Sequence, residues 1–126
     1  MSRDRSTTTE RYYVKEHWHA FSRPNAKEGR PADIYVFQSA VTTTDGKQAG
    51  TVDGLGVNLR APMVSWTVTA ALTRGTIVAE GAYALNRPNH VLVIVGGSGS
   101  YAGVRGTIAL SDAGSRGDLA TLTLLR

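Results

Sequence analysis

The sequence has no cysteine, which excludes disulfides, thiolate metal sites and thiol nucleophiles together. It has no apolar run long enough to cross a bilayer as a helix. Its polar opening, MSRDRSTTTE, lacks the apolar h-region of a secretory signal. These absences set the expectation of a cytoplasmic protein without membrane attachment. Neither sign of charge dominates: fourteen Lys and Arg stand against ten Asp and Glu, a net +4. The basic residues are scattered and not interleaved with aromatics, so a nucleic-acid partner is not expected. Helix signals are missing too. Gly and β-branched residues interrupt every long window, and no window repeats apolar residues at three and four.

What is present is a single-domain length of 126 residues and a regular series of strand signals. Residues 1–9, charged and Thr-rich, read as a flexible tail; residues 10–126 read as one domain. Eight runs rich in Val, Thr, Ile, Tyr and Trp span 10–20, 32–42, 49–60, 63–73, 76–85, 90–95, 104–111 and 118–125. Turn residues fill the gaps, as in Thr44-Asp45-Gly46-Lys47 and Asp112-Ala113-Gly114-Ser115, and all four prolines fall there. Segment 20–31 reads as a long loop. Eight short strands must hide their edges, and a closed antiparallel barrel does so. Such a barrel encloses room for packed side chains or one small ligand. On this pattern alone a sandwich is the other solution.

Alternation along the strands assigns their faces. In the first, Tyr12, Val14, Trp18 and Ala20 share a face with Glu16. That face is otherwise apolar and should point inward, placing a carboxyl group in an apolar enclosure. Desolvation disfavours the charged form and raises the pKa, which suits proton transfer near neutral pH. The other reading of Glu16 is a buried carboxyl satisfied by hydrogen bonds, with no chemical role. In the fourth strand Val64, Trp66, Val68, Ala70 and Leu72 share a face, so Trp66 belongs to core or pocket wall. In the fifth, parity does not decide which face is inside.

Val91–Val95 leads into Gly96-Gly97-Ser98-Gly99-Ser100-Tyr101-Ala102-Gly103. Gly97, Gly99 and Ala102 fit a dinucleotide fingerprint by spacing. That fingerprint must open a helix, and here a strand follows instead. The expectation is therefore a tight turn between two strands, with glycines where φ is positive. His17 and His19 stand two apart on the outward face with no third ligand, so no metal site is expected. His90, just after a turn, is expected to be solvated. Asp112 and Asp118 read as turn chemistry, and Arg105 as a surface or interface residue.

The glycine-rich hairpin resembles the signature of allene oxide cyclases and dirigent proteins. Upstream, Gly75–Tyr83, Asp33–Ser39 and the opening Tyr13-Val14-Lys15-Glu16 are similar to allene oxide cyclase stretches, in the same order and spacing. The resemblance implies an eight-stranded antiparallel barrel around a small-molecule pocket, homodimeric or homotrimeric. Members close a ring in a fatty-acid epoxide or steer phenolic coupling; related bacterial barrels catalyse [4+2] closure of spirotetronate polyketides. The implied function is a cofactor-free cyclase or isomerase acting on a polyketide-like intermediate, with an apolar small-molecule substrate. The alternative is a dirigent-like protein that steers a reactive species without bond chemistry. Glu16 falls on the pocket glutamate of the cyclases' first strand and is the candidate catalytic residue. Trp18 and Ser39 stand where those cyclases have pocket asparagines, which suits a bulkier or more apolar substrate. Trp18, Tyr35, Phe37, Ser39, Trp66 and Tyr83 are the candidate substrate-binding residues. For the aromatics, core packing is the competing role.

Overall fold

The computed structural model describes residues 6–21, 31–60, 62–84 and 89–126, with backbone only for 16–21. Eight strands follow one another: β1 Thr7–Phe21, β2 Ile34–Thr43, β3 Gln48–Arg60, β4 Met63–Leu72, β5 Gly75–Ala84, β6 His90–Gly97, β7 Arg105–Asp112 and β8 Asp118–Leu125. Each pairs antiparallel with its sequence neighbours, and β8 returns to β1, so the sheet closes as an up-and-down barrel. Closure removes both edges. Among the described residues the only helical turns are two of 3-10 type, Gly99–Tyr101 and Gly114–Arg116. None is long and apolar enough to cross a membrane.

The expected strands agree with these within a few residues, apart from the N-terminal boundary. Thr7, Thr8 and Thr9, expected in the tail, extend β1 and pair with Leu125, Leu124 and Thr123. Their β-branched side chains fit a pleated surface, and β8 presents a strand to receive them.

Alternation carries through to burial. Val64, Trp66 and Val68 point into the core on β4, while Ser65, Thr67 and Thr69 are exposed. The ambiguity of β5 is resolved: Ile77 and Ala79 are buried and Glu80 lies outside. Two glycines on the inward face of β3 make space for rings. A Cβ on Gly54 would lie 1.9 Å from the Phe37 ring, and one on Gly56 would lie 2.6 Å from Trp66. The outer face of β6 carries an exposed row of Val91, Val93 and Val95.

The glycine-rich segment is the β6–β7 connection. Gly99, with φ +61°, makes a turn that side-chain-bearing residues rarely adopt. The chain then folds over one end of the barrel and buries Tyr101 to 1% exposure. Ser100 N–H bonds Arg74 C=O at 2.8 Å, tying this connection to the β4–β5 turn. A strand follows, as the sequence indicates, so the segment does not open a helix that could hold a pyrophosphate. Gly114 N–H bonds Asp112 Oδ1 at 2.8 Å, the turn role expected of that aspartate.

Candidate functional site

Inside the barrel lies a hollow of about 60 Å³. Its walls are aliphatic, with Val14, Val68 and Leu92 among them, and the phenols Tyr12 and Tyr83 and the ring of Phe37 complete the lining. The volume suits a few water molecules. A molecule larger than a few waters fits the hollow only if lining side chains move apart.

One pole of the hollow is aromatic. The Trp66 ring is 6.1 Å from Tyr83 in a stacked arrangement and 5.6 Å from Phe37 edge to face, with Tyr35 tilted at 6.3 Å. His90 stacks on Tyr83 at 3.7 Å. Strand register explains the grouping: Tyr35 pairs with Gly56, Gly56 with Trp66, and Trp66 with Gly81, so small residues alternate with rings around one tier. Of the expected aromatics, Phe37 and Tyr83 line the hollow, while Trp66 is packed behind them at 1% exposure. His90 is not solvated as expected. The ring of Tyr83 covers it, and burial pushes its pKa below the ordinary value, opposed by the charge of Asp118. Its Nδ1 and the Nδ2 of buried Asn58 have no hydrogen-bond partner among the described residues.

Ser39 is buried and its hydroxyl is engaged by backbone, accepting from Lys15 N–H at 2.7 Å and donating to Ala40 C=O at 2.9 Å. Glu16 lies on β1 opposite Ser39, and Trp18 opposite Phe37. The side chains of Glu16, Trp18, His17 and His19 lie outside the described residues. No group of three potential metal ligands occurs among the described residues.

The opposite pole is polar. Glu10 accepts a hydrogen bond from Tyr12, another from Tyr101 at 2.9 Å, and a charged one from Arg74 at 2.5 Å. The Arg74 guanidinium also lies 5.6 Å from the centre of the Tyr101 ring. Burial by itself would raise the Glu10 pKa; the donors Tyr12, Tyr101 and Arg74 outweigh it and hold the carboxyl below its ordinary value. Burial and the bond to Glu10 push the Tyr12 phenol well above its own. Glu10 is thus an ionised acceptor and Tyr12 a fixed donor to it. This corrects the expectation that Glu16 is the sole acid on the inward face of β1. Glu10 shares the parity of Tyr12, a signal present in the sequence, but two of its three partners, Arg74 and Tyr101, are 64 and 91 residues away.

No family model matches the chain, and neither does any curated protein. Solved structures do. A pyocyanin demethylase is 25% identical, with 93% of this chain and 99% of that one covered, at a TM-score of 0.81. A Diels–Alderase from Streptomyces koyangensis is 20% identical over 99% of this chain and 70% of that one, at 0.73. A pterocarpan synthase dirigent protein is 14% identical over 96% and 87%, at 0.70. The polypeptide thus shares the closed eight-stranded barrel fold of the pyocyanin demethylase, the Diels–Alderase and the dirigent protein.

Proposed function

We propose that the protein is a cofactor-free cyclase or isomerase that folds an apolar, polyketide-like intermediate inside the barrel and closes a ring in it. The observation that carries this reading is the apolar hollow inside the barrel, with the phenols Tyr12 and Tyr83 in its lining. An apolar space of this kind, once filled by the substrate, displaces water and holds a flexible reactant near its reactive conformation, the main requirement of a cycloaddition or an acid-assisted closure. The Diels–Alderase built on the same barrel supports it. In this reading Glu16, opposite Ser39 in the register, donates a proton to the substrate or polarises it, and Trp18, Tyr35, Phe37, Ser39, Trp66 and Tyr83 shape the aromatic half of the site. The assembly is a homodimer or homotrimer, for which the outward valine row of β6 offers a surface.

A dirigent-like role is the second reading, favoured by the dirigent protein that shares the fold over nearly the whole chain. Purified protein incubated with a linear polyene precursor separates the two. Ring product formed without an oxidase supports the cyclase. Product that appears only with an oxidase, altered only in stereochemistry, supports the dirigent role. Demethylation of pyocyanin in a parallel incubation, with no ring closure, would displace both. Glu16→Gln is expected to slow ring closure severalfold or more; undiminished turnover removes Glu16 from the mechanism.

A further inference from the structure

The aliphatic walls of the hollow offer a ligand no polar contact, and the polar pole differs from the aromatic one in being fully organised. Tyr12 is the residue that belongs both to the hollow and to the polar pole: its ring lines the cavity and its hydroxyl meets Glu10. The direction of that hydroxyl is fixed. Glu10 is ionised and takes donors from three sides, so the Tyr12 proton is held within the cluster that Tyr12 forms with Glu10 and its neighbour Tyr101. A phenol oxygen whose proton is committed still has lone pairs and acts only as an acceptor. Tyr101 and Arg74 keep the carboxylate in place, with Tyr101, in the β6–β7 connection, itself buried and accepting a further bond from Arg74.

We propose that Tyr12 is a specificity-determining contact for the ligand, accepting a hydrogen bond from an O–H or N–H at the end of an otherwise apolar molecule, and that Glu10 is the positioning residue that keeps Tyr12 an acceptor. The inference rests on the reading of the hollow as a ligand site and deepens it by naming the class of molecule. The preferred ligand carries one hydroxyl or amine donor at its leading end. A ligand bearing only a carbonyl there meets lone pair against lone pair and is rejected.

Calorimetric titration of the full chain with phenol, anisole and acetophenone tests this. Phenol and anisole share a ring and differ in the donor. The phenol-to-anisole affinity ratio is expected to fall about tenfold in Tyr12→Phe, the equivalent of one net hydrogen bond. That variant keeps the ring in the cavity wall. In Glu10→Leu, which removes the carboxylate that takes the Tyr12 proton, acetophenone is expected to gain severalfold relative to phenol. An unchanged phenol-to-anisole ratio in Tyr12→Phe overturns the specificity role. A folded Glu10→Leu protein with unchanged relative affinity for acetophenone overturns the positioning role. If neither phenol nor anisole binds the wild-type protein, the hollow is not a ligand site and the proposed function falls with the inference. If both bind with the same ratio in wild type and Tyr12→Phe, the proposed function stands and this inference alone fails.

Discussion

The two poles of the barrel are built on opposite principles. At the aromatic pole, Trp66, Phe37, Tyr83 and Tyr35 hold one another by ring contact, with glycines opposite them instead of side chains. At the polar pole, Glu10, Tyr12, Tyr101 and Arg74 hold one another by directed hydrogen bonds around one carboxylate. Packed rings tolerate sliding, because dispersion is non-directional. A carboxylate network does not, because a lost partner leaves a buried group unsatisfied. In the proposed ligand site, the aromatic pole is therefore the end better suited to rearrange, and the polar pole is the fixed floor.

The contrast can be broken most severely at Trp66. Trp66→Ala empties a fully buried site and is expected to cost about 3–5 kcal/mol, read as a lowered denaturant midpoint. A loss under about 1 kcal/mol would show that the ring is not part of the core. Gly56→Ala pushes a Cβ to 2.6 Å from the Trp66 ring, so a cost of about 1–3 kcal/mol is expected, with altered near-ultraviolet circular dichroism as the ring shifts. Tyr101→Phe removes one donor to the Glu10 carboxylate and should cost about 1.5–3 kcal/mol, with the fold retained.

Acid titration sharpens the same contrast. The folded pKa of Glu10 lies below its ordinary 4.5. Its stabilisation is thus complete above about pH 4.5 and is lost as pH falls through the folded value. Unfolding curves for Glu10→Gln should show a shallower acid limb than wild type, and an unchanged limb would deny the network its electrostatic role. The smallest effect is expected at His90. Its folded pKa lies below 6.5, so the stability it contributes is present above that pH and declines as pH falls towards the folded value. His90→Phe preserves a ring against Tyr83 and should flatten this weaker dependence.

The sequence showed the strands more clearly than the site. Strand faces follow from a period of two within a few neighbouring residues, and the turns carry their own local chemistry, so both could be read directly. The failures were non-local. Thr7–Thr9 looked like tail because only β8, at the far end of the chain, gives them a partner. His90 looked solvated because the covering ring of Tyr83 lies across an inter-strand connection. Both faces of β5 carry small and apolar residues, so parity alone could not choose between them.

By itself, the order of residues determined eight strands, their inward faces on β1 and β4, and a glycine-rich hairpin that turns rather than opening a helix. Each depends on interactions between residues close along the chain. Tertiary structure alone decided that β8 closes on β1, that the enclosed space is only about 60 Å³, and that Glu10 gathers Tyr101 and Arg74 at one end. Those outcomes depend on shear, on the summed volume of side chains from every strand, and on meetings between residues far apart in sequence, which no local pattern encodes.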